Sequence, residues 1–149
     1  GAGAGFNAEM RRGLDSIRTE FVSSDDVAPD FSRLLSAADS VDVVVLGSYV
    51  NISSTTATAG ALRAFIDFVS KLQARHARLV LISFGTPYLL QQTPSVSSYV
   101  IAWGPSQASQ QAAARALLGS IAISGRLPIS LPPFARFGDG EQRATARMN

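Results

Sequence analysis

No cysteine occurs in the chain. A disulfide framework, a thiol nucleophile and a thiolate metal site are therefore excluded, and the redox compartment is left open. Histidine is almost as scarce: His76 stands alone between Arg75 and Arg78, and one imidazole beside two guanidinium groups cannot build a multi-histidine metal centre. Lysine is reduced to Lys71 among the thirteen Lys+Arg, at the far end of an expected helix, so a Walker-type phosphate loop is absent. No apolar run reaches the roughly 18 residues of a membrane-spanning helix. The opening Gly1 to Gly5 lacks the charged and hydrophobic regions of a signal peptide. With 149 residues the chain suffices for one domain, and a complete (β/α)₈ barrel, which needs roughly 200 residues or more, is excluded by length. Thirteen cationic against eleven acidic side chains leave a net charge of +2. Neither nucleic acid nor a membrane is an expected partner.

Hydropathy patterning organises what remains. Residues 1–12 read as linker, 13–138 as one folded domain and 139–149 as a polar tail. Ile17 to Val22 partly alternate, which marks a short extended segment. Asp25, Asp26 and Pro29 supply helix-start chemistry, and Phe31, Leu34, Leu35 and Ala38 at i, i+3, i+4 and i+7 predict an amphipathic helix near 30–40. Val41 to Leu46 is apolar at nearly every position, the pattern of a strand covered on both faces. A Ser/Thr-rich loop from Asn51 to Gly60 follows, and Leu62, Phe65, Ile66, Val69 and Leu72 then mark one helical face. Leu79 to Ile82 repeats the buried-strand pattern and is stopped by Gly85 and Pro87. Tyr99 to Ala102 gives a further strand, and Gln107 to Leu118 an Ala-rich helix with Gly119 at a C′ position. The repeated β-then-α order calls for an α/β fold, a three-layer αβα sandwich with a mainly parallel sheet of about five or six strands. Pro128, Pro132 and Pro133 exclude a central strand there, so this segment is expected to run extended along an edge or surface.

In open parallel sheets ligands bind at the carboxyl ends of the strands. Those ends carry Ser48, Tyr49, Asn51, Ser53, Gly85, Thr86, Tyr88, Trp103 and Gly104. None is ionisable near neutral pH, so general acid/base chemistry has no agent on these loops, and no catalytic residue is expected. A Gly-x-Ser-x-Gly elbow is missing as well, because Ser48 follows Gly47 directly. His76 precedes a strand, on the opposite rim. A phosphorylated receiver domain would need an acidic pocket at the strand ends, which these lack. Ser53 to Thr58 at a helix start fits two roles: a helix cap, or a flavodoxin-like phosphate loop. Trp103 before Gly104 and Pro105 fits a stacking platform or an aromatic plug.

Four blocks carry a resemblance. They are Ile82 to Leu90, Tyr99 to Gly104, Ala112 to Gly119, and Ser124 to Pro132 with its Gly-Arg-Leu-Pro core. Their order and spacing resemble the C-terminal α/β sandwich domain of glycoside hydrolase family three, over roughly residues 30–138. The resemblance implies a parent in which an N-terminal (β/α)₈ barrel carries the aspartate nucleophile and most sugar contacts. β-Glucosidase-type members place an acid/base glutamate after a strand like Val41 to Tyr49. Here Val50 to Gly60 holds no Asp or Glu, which resembles the β-N-acetylglucosaminidase-like branch, whose proton donor is a histidine on a barrel loop. The barrel motif Lys-His-Phe-Pro-Gly-His-Gly is absent. The expected function is that of the C-terminal domain of a hydrolase acting on terminal β-linked sugars, with β-N-acetylglucosaminides as substrate. Alone the domain is expected to be inert and to need no cofactor or metal. It would pack against the barrel and wall the carbohydrate with Tyr49, Asn51, Ser53, Thr86, Tyr88 and Trp103. Two alternatives stand beside it: a flavodoxin-like phosphate or flavin-binding module using 53–58, and a free-standing sugar-binding or assembly domain using Trp103 or Tyr88.

Overall fold

A computed structural model describes residues 2–23, 31–50, 57–75 and 78–146. Its elements are α1 (Ala4–Gly13), α2 (Phe31–Ala38), β1 (Val44–Ser48), α3 (Ala57–Arg75), β2 (Leu79–Ser83), α4 (Leu89–Gln92), β3 (Ser98–Ile101) and α5 (Gln107–Leu117). The three strands form one parallel sheet in the order β1-β2-β3. Val44 pairs with Leu79 and Ser48 with Ser83, while Val80 pairs with Ser98 and Ser83 with Ile101. All carboxyl ends therefore share one rim.

Strand side chains alternate between faces, and each face of this sheet buries its own helices. Val44, Leu46, Leu79, Leu81 and Tyr99 pack with Phe31, Leu34, Leu35, Phe68, Val69 and Leu72 of α2 and α3. Phe31 stacks on Phe68 with ring centroids 4.6 Å apart. On the other face Val45, Val80, Ile82 and Val100 pack with Phe6 and Met10 of α1 and Ala113, Ala114 and Leu117 of α5. Small alanines let α5 lie close to the sheet. The result is the expected α/β sandwich, helices on both sides of a parallel sheet.

The sheet is narrower than expected, with three strands rather than five or six among the described residues. Neither the extended segment at 17–22 nor the proline-rich segment at 124–133 joins the ladder. Ile17 to Val22 forms no strand, and Ile17 instead packs against the α1/α5 core. β1 also begins later than the apolar run, at Val44, because the N–H groups of Ser40 and Val41 close the end of α2 onto Ala37 and Ala38. Arg75 at the end of α3 pairs with Asp39 just after α2. Residues 4–13, all but Gly13 within the stretch read as linker, form helix α1 with Phe6, Glu9 and Met10 buried. No helix among the described residues is long and apolar enough to cross a membrane.

The C-terminal quarter is an irregular antiparallel ribbon. Ala146 N–H donates to Gly119 O at 2.9 Å, Ile123 and Arg143 exchange both backbone bonds, Leu127 N–H donates to Asp139 O at 2.7 Å, and Leu131 and Ala135 close the tip. Residues 139–146, read as a tail, are thus paired with 119–127. Gly119 has φ +75° and ends α5 as expected: Ser120 N–H donates to Arg115 O and Gly119 N–H to Ala116 O, the pair of hydrogen bonds of a Schellman cap. Gly140 is required for a different reason, since any Cβ there would overlap the Gly125 carbonyl across the ribbon. The tip docks through Leu131, which is buried, and through Gln91 Nε2 donating to Pro132 O at 2.8 Å.

Candidate functional site at the carboxyl rim

Backbone bonds carry the ladder past the strand ends. Phe84 N–H donates to Ser48 O at 2.8 Å, Thr86 N–H to Val50 O at 3.2 Å and Ala102 N–H to Ser83 O at 2.9 Å. The buried Ser83 hydroxyl donates to Thr86 O at 2.6 Å, which folds the turn after β2 back on itself. Tyr99 OH donates to Pro87 O at 3.0 Å, and Tyr88 N–H donates to Thr86 Oγ1 at 3.3 Å. Thr86 and Tyr88 are thereby fixed at the rim, with the Tyr88 side chain exposed. Trp103 stands at the end of β3, half exposed and with φ +62°. Tyr49 is placed differently from a free stacking residue: its ring lies on Phe84, centroids 4.7 Å apart and planes 6° from parallel. Asn51, Ser53 and the hydroxyl run through Thr56 lie outside the described residues, as does His76.

Burial raises the Tyr49 phenol above its ordinary pKa, against a hydrogen bond with the Gly3 backbone. Burial raises Tyr99 too, opposed by bonds with Ser83 and the Leu90 backbone. Both phenols stay protonated at neutral pH and carry no transferable charge. No group of three or more His, Cys, Asp or Glu that could hold a metal occurs among the described residues.

One carboxylate approaches this region that the strand-end reading missed. Helix α1 runs beside α5 in the same direction, Gly5 facing Gln110, Glu9 facing Arg115 and Gly13 facing Leu118. A cavity of about 670 Å³ opens between them, lined among others by Glu9, Arg12, Tyr49, Gln107, Gln110 and Gln111. Glu9 is buried and fully engaged. Its Oε1 accepts from Arg12 at 2.7 Å and from Arg115 Nη2 at 3.2 Å, and Oε2 from Arg115 Nε at 3.3 Å. The Arg115 hydrogen bonds, then the charges of Arg115 and Arg12, hold its pKa below the usual carboxylate value despite burial. A carboxylate so held is an ion-pair anchor and not a proton carrier. The signal for α1 is Phe6 and Met10 at i, i+4 with Glu9 and Arg12 at i, i+3, masked by the glycines and alanines around them.

This pairing has a pH consequence. Because the folded pKa of Glu9 is lowered from about 4.5, its stabilisation is complete above that pH and is lost as pH falls through the folded value. Melting temperature measured from pH 7 downward is expected to fall below about pH 4.5, less steeply in Glu9→Gln than in the wild type. Equal slopes would show that Glu9 contributes nothing to the docking of α1. Glu20, whose pKa Arg33 and Arg18 also lower, adds to the slope that the variant retains.

The α1/α5 pair and the parallel sheet fall within one match: a family model described as the glycosyl hydrolase family 3 C-terminal domain covers residues 2–145. The chain belongs to that family. No curated protein matches the sequence. Among solved structures, a fungal multi-domain family 3 β-N-acetylglucosaminidase with a GCN5-related glucosamine N-acetyltransferase region superposes with a TM-score of 0.72. It shares 22% identity over 91% of this chain, a likeness that shows the fold. The family 3 domain described here spans 15% of that larger protein. The family match begins within the residues read as linker and ends beyond Gly138, taking in α1 and most of the returning ribbon strand.

Proposed function

We propose that this family 3 domain is the non-catalytic partner of an N-terminal (β/α)₈ barrel in a hydrolase of terminal β-linked sugars, with β-N-acetylglucosaminides as the substrate class. One observation carries the reading: among the described residues the rim presents no unpaired carboxylate or imidazole. Retaining glycoside hydrolysis needs two catalytic groups about 5 Å apart across the sugar ring. A rim whose described residues supply neither leaves cleavage to a companion in this reading. The acid-free stretch Val50 to Gly60 favours a proton donor on the barrel, and the solved β-N-acetylglucosaminidase of the same fold supports the aminosugar class. In this reading Thr86, Tyr88 and Trp103, together with Asn51 and Ser53, wall one side of the sugar site. Tyr49 supports that wall from beneath through its stack on Phe84.

The test compares the 149-residue chain with the parent carrying its barrel, each assayed with a nitrophenyl N-acetyl-β-glucosaminide. The parent is expected to turn over and the chain to match buffer. Turnover by the chain that survives repurification overturns the reading, as does a parent inactive on every β-glycoside offered.

A further inference from the structure

Trp103 is the chain's single tryptophan and, among the described residues, its one non-glycine residue with positive φ, +62°. Left-handed backbone is disfavoured for a bulky L residue because Cβ crowds the neighbouring carbonyl. Such strain persists where the surroundings over-determine it, and it concentrates at ligand sites. Both flanks of Trp103 are tied down. Ala102 N–H continues the ladder onto Ser83 O at 2.9 Å. On the other side Pro105 O accepts from Gln110 Nε2 at 2.8 Å, and Ser106 Oγ caps α5 by accepting from Ser109 N–H at 3.1 Å. Packing does not repay this strain, since 51% of the residue is left exposed. Its consequence is an indole held outward at the carboxyl rim.

The surroundings define what can cover that ring. No Asp, Glu, Lys, Arg or His occurs between Arg78 and Arg115, so the loops after β2 and β3 and the start of α5 are uncharged. Arg12, which lines the adjoining cavity with Pro105 and Gln107, is paired with Glu9, so these loops offer a phosphate-bearing or acidic ligand no cation of their own. The polar groups on these segments are hydroxyls and amides, Gln107 among them, and a second exposed aromatic, Tyr88, lies on the adjacent loop. Neutral hydrogen-bonding groups around an aromatic face suit a ligand with an apolar C–H face and a hydroxyl edge. We infer that Trp103 is a carbohydrate-binding residue, held in a left-handed conformation so that its indole face meets a neutral pyranose ring at the carboxyl rim of the sheet. The inference rests on the glycosidase reading above and assigns the stacking role within it.

The lone tryptophan reports on itself. Titrating the 149-residue chain with a β-1,4-linked N-acetylglucosamine trimer is expected to give a saturable change in tryptophan emission, with none from inorganic phosphate at the same concentrations. Trp103→Gly and Trp103→Ala both remove the ring and should abolish the calorimetric binding signal, while Trp103→Tyr keeps a weaker one. The glycine variant should melt about 2–4 °C above the alanine variant, because only alanine retains the left-handed penalty. Flat emission throughout the trimer titration, or a glycine variant that melts no higher than the alanine variant, overturns the inference. The glycosidase reading fails separately, through a parent that turns over no β-glycoside.

Discussion

Leu81→Ala is expected to destabilise the domain by about 3–5 kcal/mol. β2 is the middle strand, bonded on both sides, and Leu81 at its centre pairs in register with Leu46 and Tyr99. Its side chain is fully buried and belongs to the core formed with Phe68, Val69 and Leu72 of α3. Truncation removes the transfer free energy of the lost atoms and leaves a cavity that two hydrogen-bonded neighbours prevent from collapsing. In urea titration the midpoint should fall sharply at unchanged slope. Val43→Ala, at an exposed position just before β1, should shift stability by less than about 0.5 kcal/mol. Similar losses at the two sites would contradict the layered core.

Gln110→Leu has the next largest expected effect, and it is local. The first N–H groups of a helix have no intrahelical acceptor, and in α1 two of them use a side chain far away in sequence. Gly5 and Phe6 N–H donate to Gln110 Oε1 at 3.1 and 3.3 Å, while Gln110 Nε2 donates to Pro105 O. Leucine of similar size leaves both donors without a partner, at about 1–3 kcal/mol for each buried group. The cheaper response is for α1 to lift and let water satisfy them. Amide exchange in α1 should therefore accelerate strongly while β2 keeps its protection. Uniform acceleration through the sheet would mean that α1 and the sandwich open as one unit.

These two sites also mark what the sequence discloses. Buried strands and amphipathic helices announce themselves by period, which is why β1, β2, β3, α2, α3 and α5 stand close to their expected places. Leu81 is legible as core from its neighbours alone. Gln110 and Glu9 are not, because their partners lie more than a hundred residues away and no local pattern encodes a contact of that range. α1 hides within a Gly/Ala-rich opening, where low helix-face contrast resembles linker composition. The sheet has fewer strands than expected: 17–22 forms none, and 127–133, whose prolines remove ladder donors, folds back onto 135–139 as a ribbon. Of the site, the neutral character of the rim was readable from residue types. That Tyr49 is occupied by Phe84, and that Trp103 takes positive φ, required coordinates.

In the proposed function this domain transfers no proton to or from the substrate. Glu9 is the described carboxylate that lines the cavity beside Tyr49, so its removal is the sharpest test. In the proposed parent enzyme, kcat and KM for a nitrophenyl N-acetyl-β-glucosaminide should be unchanged within about twofold in Glu9→Gln, since loss of one general acid or base lowers rate by about 100-fold or more. A fall in kcat of that size, with the melting temperature preserved, would contradict the account.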